Sequence, residues 1–344
     1  MHPAEISELL SDSIYRTIES KVGISRDSIS GSVANQIEKM ASLTAESLIK
    51  QHGQLSLDQF SGDGDSPVEV DLNSVHPDNR LNDLTGSQWL YFTISILKTS
   101  YPSILGHELR RAQGGNKPPQ LMQELIGFFT KSNELVLDPF AGAGGTALGA
   151  HLAGRRSVNI ELNPDSIAIY EQVCKSERIQ PHEFIRGDCL EILSTLEDGR
   201  FDFIATDPPY SPELVRTMSG DEESKRYGRR NRMSGYVSYS DDPRDLSKSG
   251  SFDIYFDRLV EVGTQLLRVL KQGRYLAMIL RDSYQNGKYI PTSAVIGQRL
   301  SEVGWQWKGE RIWYATGTRI RPYGYPNAYV PNIIHQSILI LRKG

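Results

Sequence analysis

The sequence predicts an α/β protein in which helices cover both faces of a mainly parallel, seven-stranded sheet, with a helical extension before it. From about residue 119, short apolar runs alternate with amphipathic segments. A glycine-rich turn follows the first of these runs, at residues 139–145. Residues 3–22 instead place apolar side chains three and four positions apart, which is typical of an amphipathic helix.

The composition restricts the class of protein. The chain has 344 residues, which fits one large domain with an appendage or two modest domains. Its only cysteines, Cys174 and Cys189, form no C-x-x-C pair, so we expect a reducing compartment and no disulfide framework. The N-terminus lacks an apolar signal segment, and the longest apolar runs fall short of the ~20 residues that span a membrane. We therefore predict a cytoplasmic protein without membrane association.

The charge is unevenly distributed. The whole chain has a net charge of −4. Residues 1–84 contain 14 acidic and 6 basic residues, whereas residues 251–344 contain 13 basic and 6 acidic residues. The acidity belongs to the N-terminal segment, and the C-terminal part remains suited to a polyanionic partner.

The elements follow in order. Helices are predicted over residues 3–22 and 27–51, and the Gly/Asp/Ser-rich stretch 53–67 is a linker. We place a helical extension at 1–84 and the main domain at 85–344. Because amphipathic helices often pair, the extension is a candidate for self-association or for binding a partner subunit.

Seven buried strands and five helices are predicted in the main domain. The strands are Leu135–Leu137, Ser157–Leu162, Phe184–Arg186, Phe201–Thr206, Arg274–Leu280, Trp305–Ala315 and Ser337–Leu341. The helices are Pro119–Lys131, Gly145–Ala153, Pro164–Ser176, Cys189–Leu196 and Asp253–Leu270. In such sheets, ligands bind at the carboxyl ends of the strands, beside the topological switch point.

The turn after the first strand carries a ligand-binding pattern. Gly142 and Gly144 would let the backbone approach a ligand closely, and Glu161 ends the next strand. The pattern also satisfies G-x-G-x-x-G/A, so a dinucleotide site fits, as does a glycine turn needed only for packing. The turn predicts a nucleotide-like ligand without choosing which one.

The fourth strand ends in Asp207-Pro208-Pro209-Tyr210. Two consecutive prolines cannot continue a central strand, because each lacks an N–H group and fixes φ. The chain must leave the sheet at its carboxyl edge, where Asp207 and Tyr210 would lie beside the glycine-rich turn. A simple strand terminator is the alternative.

Together these motifs resemble those of the S-adenosylmethionine-dependent DNA methyltransferases that modify adenine N6 or cytosine N4. The hallmark (Asp/Asn/Ser)-Pro-Pro-(Tyr/Phe) is matched by Asp207–Tyr210, and the cofactor turn Phe-x-Gly-x-Gly is matched by Phe140–Gly144. The resemblance covers about residues 85–344 and implies a Rossmann-like class I methyltransferase fold. It implies S-adenosylmethionine as cofactor and double-stranded DNA, with a flipped base, as substrate.

The resemblance also implies roles for individual residues. Lys117 and Pro118 would contact the methionine end of the cofactor, with Asp138 near the same end. Glu161 would hold the ribose hydroxyls, although Lys117 is alternatively a solvated loop charge.

The segment after the third predicted strand, which contains Asp188 and Cys189, would contact the cofactor's adenine ring. A helix N-cap is the alternative role of Asp188.

The amine chemistry explains the catalytic motif. An exocyclic amine is a poor nucleophile because its lone pair is delocalised into the ring. If the Asp207 carboxylate and the Pro208 carbonyl accept its two hydrogens, the lone pair becomes available for attack on a methyl group. Tyr210 would stack on the flipped base. No metal is required, and the seven histidines show no metal-ligand spacing.

Two segments are candidates for DNA recognition. The forty residues 211–250 lose the apolar pattern, and Lys225–Arg232 contains Arg229, Arg230 and Arg232. A solvated loop that pairs its own charges is the alternative.

The second segment is 318–331, whose Tyr323 and Tyr325 would line a base pocket beside Arg319 and Arg321. Packing of these aromatic side chains in the core is the competing interpretation.

The favoured function is therefore adenine-N6 methylation of DNA, because by family habit Ser-Pro-Pro-Tyr is the commoner cytosine form. Cytosine-N4 methylation is the first alternative, and RNA guanine-N2 methylation is the next. Protein-glutamine methylation, a nicotinamide oxidoreductase and a non-enzymatic DNA-binding protein are less favoured. A link to restriction-modification is left open.

Overall fold

A computed structural model describes residues 72–111, 117–210, 239–285 and 287–344, together with seven residues between Ser11 and Lys39. The chain divides into two compact units, Met1–Val70 and Asp71–Gly344. The predicted helices at 3–22 and 27–51 fall outside the described residues except at those seven positions. The linker 53–67 and the three arginines at 229, 230 and 232 also fall outside them.

The second unit is built on an eight-stranded sheet. Its strands are β1 (Ile96–Lys98), β2 (Leu135–Asp138), β3 (Arg156–Glu161), β4 (Glu183–Arg186), β5 (Phe201–Thr206), β6 (Leu270–Leu280), β9 (Trp305–Tyr314) and β10 (His335–Lys343). A separate hairpin consists of β7 (Ser283–Gln285) and β8 (Lys288–Ile290). The strand order in the large sheet is β1-β9-β10-β6-β5-β2-β3-β4. All its pairings are parallel except those of β10 with β6 and β9.

Eight helices accompany the strands in the described part of the second unit. They are α1 (Gly86–Thr93), α2 (His107–Arg111), α3 (Pro119–Phe129), α4 (Gly145–Leu152), α5 (Pro164–Glu177), α6 (Cys189–Thr195), α7 (Phe252–Val269) and α8 (Thr292–Glu302). All five predicted helices and all seven predicted strands are present. The sheet has eight strands rather than seven because the three-residue β1 pairs with β9.

The helices cover both faces of the sheet. One core packs α6, α7 and α8 against the strands, and all six residues of β5 are buried between the two layers. The other core centres on α3, where the ring of Phe129 stacks on that of Phe203 at 5.0 Å. Burial on both faces explains why the central strands are continuous apolar runs rather than alternating patterns.

Local sequence sets where several elements begin. The Asn163 side chain caps α5 by accepting from Asp165 N at 2.9 Å, and Pro164 supplies a first helical residue that needs no N–H partner. Ser251 caps α7 by accepting from Ile254 N at 3.3 Å. Within the described ranges, no helix combines the length and apolarity needed to cross a membrane.

Candidate active site

A cleft opens at the point where the direction of the chain through the sheet reverses. From β2 the chain proceeds outward through β3 and β4, whereas β5 lies on the other side of β2 and leads to β6. Asp138 ends β2 and Asp207 follows β5, so both carboxylates reach the same cleft. The cleft contains about 1120 Å³ of empty space, including its open mouth. This is the position at which doubly wound sheets bind ligands.

Asp138 ties three elements together. Its carboxylate accepts from Thr146 Oγ1 at 2.5 Å, from Thr206 Oγ1 at 2.7 Å and from Phe140 N at 2.9 Å. These bonds join β2 to the start of α4 and to the end of β5. Burial nevertheless raises the pKa of Asp138 to about 6, and the nearby Asp207 adds to the increase. The carboxylate therefore organises the turn in addition to facing the cleft.

The two glycines of the turn have different surroundings. Both have positive φ, +52° at Gly142 and +83° at Gly144. A methyl group at Gly142 would meet no atom within 4 Å, and this residue lines the cleft. At Gly144, which caps α4, the same group would lie 2.2 Å from the Tyr170 ring. Gly142 thus leaves room for a ligand, whereas Gly144 permits close packing of α4 on α5.

Glu161 closes the turn from the next strand. Its Oε2 accepts from Gly142 N and its Oε1 accepts from Asn163 N, both at 2.7 Å. Burial raises the pKa of Glu161 to about 7 despite these two bonds. The carboxylate lines the cleft, as the role in ribose binding requires.

Asp188 is the N-cap of α6, where its Oδ1 accepts from Leu190 N at 2.9 Å and from Glu191 N at 3.3 Å. The helix-cap alternative is therefore observed. Asp188 and Cys189 also line the cleft, which keeps the adenine-contact prediction open.

The last part of the predicted insertion forms a wall of the cleft. Residues 239–250 include the buried Asp245 and Leu246, and Tyr239 O accepts from Asn163 Nδ2 at 2.7 Å. The side chains of Asp245 and Arg244 line the cleft. The sequence pattern predicts a structureless loop for this stretch, because the stretch has no apolar period. In the structure its polar side chains are instead hydrogen-bonded within the wall.

The Asp207–Tyr210 motif forms a buried ion pair with Lys117. Lys117 Nζ donates to Asp207 Oδ2 at 2.6 Å and to Tyr210 Oη at 2.7 Å, and its side chain is only 7% exposed. Burial raises the pKa of Asp207, while the Lys117 charge and hydrogen bond oppose the increase. The family resemblance assigns Lys117 only to the methionine end of the cofactor, so its contact with Asp207 is a new feature.

Tyr210 is buried in a polar network. The residue is 9% exposed, and burial raises the pKa of its hydroxyl well above the usual range. The Gln336 side chain on β10 and the Arg281 charge at the end of β6 both lie close enough to lower the pKa of this hydroxyl, against the larger effect of burial. Tyr255 of α7, fully buried, lies close enough for Tyr210 and Asp207 to raise its pKa. Residues from β6, β10 and α7 thus surround the motif, and no sequence pattern identified them.

Arg110, in α2, hydrogen-bonds to the backbone of Lys117. Its side chain is fully buried and donates to Leu105 O at 2.9 Å, to Ile104 O at 3.2 Å and to Lys117 O at 3.4 Å. Burial lowers its pKa to about 10. Pro118, the N-cap residue of α3, follows Lys117 directly, so backbone contacts hold the lysine at the entrance to that helix.

The segment between β9 and β10 carries exposed aromatic residues. The exposed fractions of Tyr323, Tyr325 and Tyr329 are 41%, 80% and 84%. These three rings therefore do not pack in a core, and the competing interpretation of this segment is wrong for them. Because β9 runs parallel to β5 and β6, its carboxyl end lies at the same edge of the sheet as Asp207. These rings thus lie at the edge of the sheet that contains the Asp207–Tyr210 motif.

The cleft suits a positively charged nucleoside cofactor. Its described lining contains the carboxylates of Asp138, Glu161, Asp188, Asp207 and Asp245, against the cations of Lys117, Arg244 and Arg258. Two parts of the site fit such a group directly: the open turn at Gly142 and the Glu161 carboxylate, which can accept from ribose hydroxyls. The part of the chain that the structure describes contains no group of three or more His, Cys, Asp or Glu arranged to hold a metal ion.

The fold is that of a Rossmann-like methyltransferase, and the comparisons with known proteins support S-adenosylmethionine as the cofactor. Residues 89–172, about a quarter of the chain, match the family model described as DNA methylase, and this match supports a methyltransferase of that family. The matched segment includes Lys117, the glycine-rich turn and Glu161. It ends before the Asp207 motif, which therefore supports the assignment independently.

Curated relatives come from two substrate classes. The chain is 28% identical over 109 residues to the tRNA (guanine(10)-N2)-dimethyltransferase of Pyrococcus abyssi, covering 32% of this chain and 33% of the relative. It is 29% identical over 119 residues to the type II methyltransferase M.HinfI of Haemophilus influenzae, covering 30% and 33%. The matches thus span about a third of these relatives. Among solved structures, TrmN from Thermus thermophilus has a TM-score of 0.38 at 13% identity, covering 66% of this chain and 48% of that chain.

Proposed function

We propose that this protein methylates an exocyclic amine in DNA, with adenine N6 as the preferred target. The observation that carries the proposal is the position of Asp207-Pro208-Pro209 at the carboxyl end of β5, in the wall of the cleft. The family-model match and the methyltransferase relatives support S-adenosylmethionine as the cofactor, which carries an electrophilic methyl group when bound. The sheet edge beside the motif also carries exposed tyrosines suited to stacking on bases.

In this proposal the cofactor lies along the ends of β2, β3 and β4. The Phe140–Gly144 turn would contact it through the open side of Gly142, and Glu161 would accept from its ribose hydroxyls. Asp188 and Cys189 would border its adenine ring. The Asp138 carboxylate would face its positively charged end, which matches the excess of acidic groups in the lining.

The chain's own groups activate the amine. The Asp207 carboxylate and the Pro208 carbonyl accept the two amine hydrogens, which favours a tetrahedral nitrogen and directs its lone pair into the cleft. Asp207 need not be a strong base, because charge-assisted hydrogen bonding suffices until the proton leaves. The target base must leave the duplex to reach this position. We propose that Tyr323 and Tyr325 receive it, with Tyr210 stacking on it after its buried ring is released.

RNA guanine-N2 methylation is the second candidate, since the chain resembles a tRNA guanine-N2 dimethyltransferase. Guanine presents an exocyclic amine that Asp207 and Pro208 could bind in the same way. The geometry of the motif therefore suits the exocyclic amine of adenine, cytosine or guanine.

Incubation with methyl-labelled S-adenosylmethionine and either mixed-sequence duplex DNA or total tRNA, followed by nucleoside digestion and mass spectrometry, tests the proposal. We expect N6-methyladenine from DNA. N4-methylcytosine would retain the mechanism and change the base, whereas N2-methylguanine from tRNA alone would replace DNA by RNA.

The matched control is Asp207→Ala. It should bind the cofactor with nearly unchanged affinity and transfer no methyl group. A variant that retained more than about a tenth of the wild-type rate would contradict the acceptor role of Asp207.

A further inference from the structure

The ion pair between Lys117 and Asp207 joins the catalytic motif to a distant part of the chain. Lys117 precedes α3, Asp207 follows β5, and their charged atoms are 2.6 Å apart. The Lys117 side chain is 7% exposed and that of Asp207 is 15% exposed. A pair this enclosed is weakly screened, so each charge strongly affects its partner.

The two Asp207 oxygens differ in their contacts. Oδ2 accepts the short bond from Lys117, whereas the contact of Oδ1 with Tyr210 Oη is long, at 3.4 Å. Lys117 Nζ also donates to Tyr210 Oη at 2.7 Å. The lysine therefore fixes one oxygen of the carboxylate and leaves the other, weakly bound oxygen for an amine hydrogen.

Lys117 is itself held in place. Its carbonyl accepts from the buried Arg110 at 3.4 Å, and a methyl group added to Gly145 would lie 3.2 Å from that carbonyl. Contact with Arg110 on one side and with the start of α4 on the other restricts the lysine backbone. The restriction extends to its ammonium group through the two short hydrogen bonds.

We infer that Lys117 is a positioning residue for methyl transfer, which orients Asp207 through Oδ2 and keeps this buried side chain in its carboxylate form. The inference rests on the proposed function and gives Lys117 a role other than contact with the cofactor. The two roles make different predictions. A cofactor contact predicts weaker cofactor binding when Lys117 is changed, whereas a positioning role predicts a change in the titration of Asp207.

The electrostatic surroundings of Asp207 decide the direction of that change. The titratable and charged groups facing it or its partner Tyr210 are Lys117, Tyr210, Asp138, Tyr255 and Arg281. Lys117 lowers the pKa of Asp207, and burial raises it. Removing the lysine charge therefore raises the pKa further, so the active carboxylate is lost at a higher pH as the solution is acidified.

The experiment compares Lys117→Met, Lys117→Arg and the control Lys175→Met, whose lysine lies on an exposed part of α5. The pKa of Asp207 is measured in the ligand-free protein by NMR of ¹³C-labelled aspartate, with Asp207→Asn for assignment. We expect Lys117→Met to raise it by about one to three units and Lys117→Arg to preserve most of the effect. An Asp207 pKa that does not rise in Lys117→Met overturns the inference.

Single-turnover methyl transfer across pH is the second readout. In Lys117→Met the acid limb should move to higher pH by the same amount, with a rate at least tenfold lower at neutral pH. Cofactor affinity, measured by calorimetry, should change less than threefold. A uniformly slower rate with an unmoved acid limb, or a large loss of affinity with an unmoved pKa, overturns the positioning role.

Folding is controlled with the double variant Lys117→Met/Asp207→Asn, which removes both charges. If Lys117→Met unfolds, recovery of the wild-type Tm by the double variant supports the pair, and equal instability of both overturns it. The proposed function fails separately: a wild-type protein that methylates neither DNA nor tRNA while the pKa of Asp207 still depends on Lys117 would refute the reaction and retain the ion pair.

Discussion

At the scale of single residues, the site contains buried carboxylates that accept hydrogen bonds from neighbouring groups of the protein. Asp138 accepts three such bonds and Glu161 accepts two, yet burial raises the pKa of both. A cationic cofactor would favour the charged form of each. Cofactor binding and proton release are therefore coupled in this cleft.

The first prediction concerns pH. Because the pKa of Glu161 is raised to about 7, this side chain carries a proton below that pH and a charge above it. Ribose hydroxyls donate to the charged form, so cofactor affinity should fall about tenfold between pH 8 and pH 6. Calorimetry at several pH values measures this change. Glu161→Gln should bind weakly at every pH, while Glu171→Gln on α5 should behave like wild type.

The second prediction separates the two turn glycines. Gly144→Ala should lower the free energy of unfolding by about 2–5 kcal/mol, since the methyl group would overlap the Tyr170 ring at positive φ. Gly142→Ala should cost only about 1–2 kcal/mol, because only the backbone strain remains, but it should weaken cofactor binding. Denaturant unfolding and calorimetry distinguish these outcomes. Equal stability losses would contradict the assignment of separate roles.

At the scale of elements, short helices position the site through their first turns. Asp188 starts α6 beneath the cleft, and Asn163 starts α5 beside Glu161. The same residues therefore serve local structure and the site. Their two contributions are separable by substitutions that preserve the cap.

The third prediction uses this separation at α6. Asp188→Ala should lower the free energy of unfolding by about 1 kcal/mol, because Leu190 N and Glu191 N lose their acceptor. Asp188→Asn should keep the cap and the stability. If Asp188 also contacts the cofactor through its charge, Asp188→Asn should still weaken cofactor binding. Unchanged affinity in both variants would leave Asp188 as a helix cap only.

At the scale of the whole molecule, two segments far apart in the chain are candidates for DNA recognition. The exposed tyrosines between β9 and β10 lie at the edge of the sheet where Asp207 is found, and Arg319 and Arg321 belong to the same segment. The arginines 229, 230 and 232 belong to the segment between Tyr210 and Tyr239, outside the described residues. Along the chain, the arginine segment lies between Tyr210 and Tyr239, and the tyrosine segment precedes Gln336.

The fourth prediction compares these segments by the salt dependence of DNA binding. Neutralising Arg229, Arg230 and Arg232 to Gln should weaken binding and reduce the salt slope by about 0.9 for each phosphate that the variant no longer neutralises. Neutralising Arg319 and Arg321 gives the matched comparison. Fluorescence anisotropy over a range of salt concentrations measures both slopes. An unchanged slope in the first variant would assign those arginines to a solvated loop.

The sequence by itself determined five helices and seven strands from Pro119 onward and the two motifs of the cleft, whereas α8 and the β7–β8 hairpin were not predicted. Apolar runs, glycine turns and paired prolines are local features, and their effects on the backbone act within a few residues. Short elements with few apolar residues, such as β1 and the wall at 239–250, carried no comparable local signal.

Only the tertiary structure decided which side chains meet. Lys117 pairs with Asp207 across ninety positions, and Gln336 of the last strand influences the pKa of Tyr210. Gly144 serves packing because Tyr170 comes from another helix. The physical reason is the same in each case: contacts between distant segments depend on sheet order and on the layering of helices, which no local pattern specifies.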